Sequence, residues 1–186
     1  VFWADTKNST GSGVSCIARC VRAECGRTSP FPVSEMWDYL VDVGIQAHQV
    51  GFDEIQFDYI RFSTEKGIGD VVYDEADVRG RDKKTVITEF VQYASEKLKD
   101  EGAFVAADVF GAVMGGGIDS DTVGQSYGDM ANQLDYICPM IYPSHYSAGN
   151  CGLEHPDMEP YKTLFGALQK SGKVRLDASR ADNHES

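Results

Sequence analysis

The sequence is short of positive charge: 17 Lys and Arg stand against 29 Asp and Glu, a formal net charge of −12. Nucleic acid and anionic membrane both require basic surface. Neither is expected as a partner, whereas a neutral sugar polymer is compatible with this balance. No apolar run is long enough to cross a bilayer and none has the make-up of a signal peptide. The chain begins at Val1, which leaves room for a leader upstream. No Gly-x-Gly-x-x-Gly turn follows a strand-like run, which argues against a dinucleotide site. Gly115-Gly116-Gly117 lacks the Lys-Ser/Thr of a phosphate loop and reads as a flexible loop. No His-x-His or His-x-x-x-His pair occurs. Cys16, Cys20 and Cys25 have no second paired half, so a zinc site is not expected. Cys138 lies in an apolar run and reads as a small buried hydrophobe; Cys151 stands apart. These absences leave no metal or cofactor to expect.

What is present, 186 residues with 42% hydrophobic and 25% charged, suits one globular domain. The chain is organised around Gly51-Phe52-Asp53-Glu54-Ile55-Gln56-Phe57-Asp58-Tyr59-Ile60-Arg61-Phe62. Aromatic and β-branched residues in alternation favour a strand there. Ile55 and Phe57 share one face, Gln56 and Asp58 the other. Polar groups on an inner face are costly unless that face opens onto a site. A helix beginning at Ser34 leads into this strand, with Trp37, Leu40, Val41, Ile45 and Ala47 at helical spacing and Gly51 as its terminator. Phe2 to Ala4 reads as the end of a strand, and the cysteine-bearing residues up to 32 have no clean period.

Residues 63–82 read as a long acidic loop with Glu65, Asp70, Asp74, Glu75 and Asp77. A second helix is expected over about 84–99, broken by Glu101-Gly102, then an apolar strand over 103–111 with Asp108 near its end. A short helix over about 123–132 precedes a third strand over 134–142, in which Pro139 is awkward. A helix from Glu159-Pro160 and the start of a further strand at Lys173-Val174-Arg175-Leu176 complete the pattern. Alternation of this kind demands a parallel sheet with right-handed crossovers. An eight-stranded (β/α)8 TIM-type barrel fits best, although such barrels need about 250 residues. The expectation is an incomplete barrel, about strands 3 to 7, in one domain spanning 1–186.

Three of these segments carry a resemblance. The stretch 51–62, the run Ala106-Ala107-Asp108-Val109-Phe110-Gly111, and Asp135-Tyr136-Ile137-Cys138-Pro139-Met140-Ile141-Tyr142-Pro143-Ser144-His145-Tyr146 are similar to the fourth, fifth and sixth strand motifs of a bacterial family, the "putative glycosyl hydrolase domain". The similarity covers about 33–173; Ser63 stands where the family usually has Pro, and Trp3 to Lys7 echo its third strand. The family is a (β/α)8 barrel distantly similar to alpha-amylase-type enzymes. The resemblance implies a glycoside hydrolase acting on a polysaccharide or oligosaccharide outside the cell or at its envelope.

Glycoside hydrolysis needs one protonated and one ionised carboxyl. Asp58 and Asp108, at the ends of neighbouring strands, are the natural pair. The resemblance implies Asp58 as nucleophile and Asp108 as acid/base. Gln56, Arg61 and His145 are candidates to hold sugar hydroxyls, and Tyr59, Tyr142 and Tyr146 to stack on sugar rings. Against these stand plainer roles: an Asp that orients Arg61, a salt bridge from Arg61 to Asp58, and tyrosines that merely pack the rim. Two other classes are open: a non-catalytic carbohydrate-binding barrel or inactive fragment, and a metal-dependent hydrolase with Asp58, Asp108 and His145 as ligands.

Overall fold

In a computed structural model, which describes residues 2–4, 33–62, 79–115 and 117–182, the first helix is α1, Val33–Gln49. Leu40 and Val41 are buried, and Trp37, Ile45 and Ala47 pack against the same core, as their spacing predicts. Helix α2, Lys83–Asp100, starts where the Asp82 carboxylate accepts the Thr85 N–H at 2.8 Å, satisfying a donor that has no partner within the helix. Its apolar stripe, Ile87, Phe90, Val91, Ala94 and Leu98, is buried.

Both helices end in one arrangement. Gly51 N–H bonds to the His48 carbonyl and Phe52 N–H to that of Ala47; Gly102 N–H bonds to Lys99 and Ala103 N–H to Leu98. This is the Schellman pairing. It reverses the chain straight into a strand each time: β2, Glu54–Phe57, after α1 and β3, Phe104–Phe110, after α2. With β1, Phe2–Ala4, and β4, Tyr136–Met140, they form one sheet in the order β1-β2-β3-β4. The β2–β3 and β3–β4 pairs are parallel, with Phe57 opposite Ala107 and Asp108 opposite Cys138. Ile55, Phe57, Val105, Ala107 and Val109 are buried in the core with the α1 and α2 stripes, the Phe57 ring meeting Phe90 edge-on at 5.4 Å. Pro139 sits in the outer strand of the sheet, where a missing N–H is tolerated.

Three expectations are corrected. First, Phe2–Ala4 runs antiparallel to β2, not parallel as a third barrel strand would; three residues carry no signal of direction. Second, the helix expected over 123–132 is two, α3 (Ile118–Val123) and α4 (Tyr127–Gln133). Gly124 closes α3 at φ 74, its N–H bonded to Ser120. Third, Lys173 to Leu176 do not start a strand: α5 runs unbroken over Pro160–Asp182. Lys, Arg and Leu are good helix formers, and no proline intervenes. The fold shown is therefore α/β, with three parallel strands and one antiparallel neighbour. The acidic loop over 63–78, the Cys16, Cys20 and Cys25 cluster, and Gly116 lie outside the described residues.

The close of α3 tolerates no side chain. A Cβ at Gly124 would stand 2.9 Å from the Lys83 carbonyl oxygen and 2.9 Å from the Phe62 ring. Gly149 has a similar φ of 86 with open space around it. Gly124→Ala is expected to lose about 2–4 kcal/mol in urea unfolding, and Gly149→Ala only about 1. Equal losses at the two positions would contradict the clash.

Candidate active site

The polar face of β2 and β3 is where the chemistry-bearing residues converge. Asp58 follows the last residue of β2. Its carboxylate accepts the Tyr59 N–H at 2.7 Å, and Tyr59 takes a positive φ of 59. Such a backbone costs an aromatic residue about 1–3 kcal/mol and collects at functional sites. Arg61 N–H then bonds back to the Tyr59 carbonyl at 2.8 Å, a tight turn centred on the fully buried Ile60. Burying Ile60 drives Tyr59 outward, and its side chain is exposed.

Asp108 lies on β3, and the Gln56 amide donates to its Oδ1 at 2.6 Å. The Asp58 carboxyl lies close enough for its charge to act on Asp108. The Asp108 carboxyl is pushed up to about 6, first by burial and then by the charge of Asp58, with the Gln56 amide pulling the other way. Desolvation and a neighbouring like charge both disfavour the ionised form. Asp108 therefore keeps its proton into the mildly acidic range.

Around this pair runs a series of rings. The Arg61 guanidinium lies over Tyr59 at 5.3 Å and over Phe110 at 6.0 Å, and Nη1 donates to the Phe62 carbonyl at 3.3 Å. Its buried Nε has no hydrogen-bond acceptor among the described residues. His145, in the 3-10 turn Pro143–His145 after β4, packs on Phe110 at 6.2 Å and on Tyr142 at 5.1 Å. Tyr142 is exposed, whereas Tyr146 is half-buried, with a buried hydroxyl that meets no hydrogen-bond partner among the described residues. Burial, then the charge of Cys151, raises the Tyr146 pKa.

All eight residues expected at the site thus stand at the ends of β2, β3 and β4, but not in one contact. Gln56, Asp58 and Asp108 are joined. Tyr59, Arg61, His145 and Tyr142 are linked through Phe110, and Tyr146 lies beside Gly111. That glycine allows close approach, since a Cβ there would fall 2.4 Å from the Met140 carbonyl oxygen. Arg61 rests on rings where a bond to Asp58 was the plainer expectation. Cys138 is half-buried, not core, and faces the site across from Asp108; burial, then the Asp108 and Glu54 charges, raises its pKa. Among the described residues, no three His, Cys, Asp or Glu side chains are grouped to hold a metal ion, and no helix is long and apolar enough to cross a membrane.

The sequence reading missed Phe110 and Gln125. Phe110 was visible by alternation, two residues beyond Asp108 on the same face. Gln125 is buried, accepts the Phe110 N–H and donates to the carbonyls of Ile60 and Asp108; a polar residue between two short helices gives no sign of it.

The raised Asp108 pKa has a stability consequence. The unfolded carboxyl titrates near 3.8 and the folded one near 6, so the folded state binds more protons between those values. The stabilising contribution is whole below about pH 4 and is lost as pH rises through about 6. Asp108→Asn removes the ionisation and should melt about 2–4 °C above wild type at neutral pH, roughly 1 kcal/mol after solvent screening, with the gap closing near pH 4. A pH-independent gap in calorimetry would contradict the shift.

Comparison with known proteins identifies the family. Residues 28–183 match a family described as "Putative glycosyl hydrolase domain". No curated protein matches the chain. Among solved structures the chain is similar to the Bacillus megaterium QM B1551 spore cortex-lytic enzyme SleL, at 17% identity and a TM-score of 0.45. The match covers 74% of this chain and 27% of that one, so the chain spans about a quarter of that protein's length. Since the family match takes in β2, β3, β4 and both aspartates, the chain belongs to the "putative glycosyl hydrolase domain" family.

Proposed function

We propose that this chain carries the catalytic carboxyl pair of a glycoside hydrolase that cleaves O-glycosidic bonds in a polysaccharide or oligosaccharide. The observation that carries the reading is the placement of Asp58 and Asp108 on the same face of paired parallel strands, with Asp108 pushed up to about 6. The parallel strands β2, β3 and β4, consecutive in sequence and adjacent in space, would form one arc of a (β/α)8 barrel. Family membership and the position of both carboxyls at C-terminal strand ends support this. The antiparallel β1 lies outside such an arc.

In this reading Asp108 is the acid. It protonates the glycosidic oxygen as the bond to the anomeric carbon breaks, and Asp58 attacks that carbon to form a glycosyl ester. Asp108 then removes a proton from the water that hydrolyses the ester, returning both groups to their starting states. An inverting enzyme spaces its carboxyls about 6.5–9.5 Å apart to admit a water, and a retaining one about 5 Å. Paired strands lie about 4.8 Å apart, so carboxyls on adjacent strand ends favour the retaining route. Gln56 orients Asp108. Tyr59 and Tyr142 offer exposed ring faces to sugars, Tyr146 backs them as a half-buried ring, and Arg61 and His145 supply hydroxyl contacts. A neutral glycan suits the net charge of −12 better than nucleic acid does. Such a substrate puts the protein outside the cell or at its envelope.

The test is hydrolysis of a glycan panel by wild type, Asp58→Asn and Asp108→Asn. Wild type should turn over at least one glycan, with kcat/KM falling above about pH 6 as Asp108 ionises. Both variants should lose about 10³-fold or more. An aryl glycoside, whose leaving group needs no proton, should restore much of the loss in Asp108→Asn and none in Asp58→Asn. Glycan binding without turnover in the wild type would make the domain a carbohydrate-binding module instead.

A further inference from the structure

We infer that Gln125 is a positioning residue for the carboxyl pair, standing in for the length of β2 that is missing opposite Asp108; the inference rests on the reading of Asp58 and Asp108 as that pair. Strand β2 pairs with β3 only as far as Phe57 opposite Ala107. Past that point the positive φ of Tyr59 and the turn about Ile60 carry the chain away. In a parallel ladder alternate residues turn both their N–H and C=O toward the same neighbour. The Asp108 carbonyl and the Phe110 N–H therefore face a gap, where unmet backbone groups are costly.

The Gln125 side chain fills that gap as a peptide group would. Its Oε1 accepts the Phe110 N–H at 2.9 Å, and its Nε2 donates to the Asp108 carbonyl at 3.4 Å. The same nitrogen donates to the Ile60 carbonyl at 3.2 Å. One amide thus holds the backbone of Asp108 to a residue two beyond Asp58. The residue is 1% exposed, so water does not replace these bonds. Its own backbone is held in turn: the buried Ser120 hydroxyl donates to the Gln125 carbonyl at 2.5 Å. Nothing in Gln125 reaches the polar face itself. It acts on the carboxyls through the two strand ends.

The experiment is a ¹³C NMR titration of aspartate-labelled wild type and Gln125→Met, beside kinetics on any glycan the wild type cleaves. Methionine keeps the side-chain length and removes the donor and acceptor. The expected result is an Asp108 midpoint lower than in wild type, because the strand ends separate, water enters and Asp58 withdraws. With it, kcat should fall about 10- to 100-fold at little changed KM, the scale of a displacement of about 1 Å. A variant that melts earlier but keeps the wild-type midpoint would overturn the inference and leave Gln125 a purely structural residue. If Gln125→Met does not fold, Ser120→Ala decides, since it loosens the Gln125 backbone and leaves the amide in place. A lowered Asp108 midpoint there supports positioning, and an unchanged one overturns it. The titration needs no turnover: absence of activity in every protein would sink the hydrolase reading, while the midpoints would still decide the role of Gln125.

Discussion

The parallel register of β2 on β3, Phe57 opposite Ala107, is the constraint on which the rest depends. Because side chains alternate, this one pairing sends Ile55, Phe57, Val105, Ala107 and Val109 to the helices and Gln56, Asp58 and Asp108 to the other face. A slip of one residue would put the aspartates into the core and the phenylalanine out of it. Burial of carboxylates among Phe90, Leu98 and Val91 is far more costly than anything regained by exposing apolar groups. The hydrophobic face therefore protects the register, and the register assembles the site. Stability and chemistry are set by the same hydrogen bonds, on opposite sides of one strand pair.

The site itself works against that stability. Asp58 and Asp108 repel when both are ionised, and burial adds to the penalty at Asp108. Tyr59 holds a backbone conformation that an aromatic residue rarely takes. Neither would persist on a loose loop. They persist because Ile60 and Phe62, on either side of Arg61, are buried, and Phe62 N–H bonds to the Val123 carbonyl at 2.8 Å. The anchor for the strained segment is thus the end of α3, a part of the chain far from it in sequence.

Much of this was legible in the residues. The periods of α1 and α2, the two terminating glycines and the alternation through 54–58 give the αβ repeats and bring Asp58 and Asp108 to adjacent strand ends. Elements whose identity rests on long-range contact were not legible. Phe2–Ala4 has strand character but takes its direction from β2. Lys173 to Leu176 are equally at home in helix or strand, and continuity with α5 decides. Gly124 ends α3 in a left-handed conformation, a local signal passed over in the sequence, while the crowding by Lys83 and Phe62 that bars any side chain there is a fact of packing. Arg61 shows the same limit at the site: a cation beside Asp58 in sequence predicts an ion pair, but the turn at Ile60 swings it onto the Tyr59 and Phe110 rings.

That turn explains why the candidate site residues gather at this strand end and not along the sheet. While strands pair, their backbone groups are spent on each other and their side chains crowd one another. Where β2 departs and β3 continues, Tyr59 is thrust outward and Arg61 crosses toward Phe110. The departure would leave backbone groups of β3 without partners, and a side-chain amide from the α3–α4 link meets them. The strand can then end early without the sheet fraying. Ending one strand early and sealing the gap from behind thus frees the end of β2 to turn while β3 stays ordered beside it.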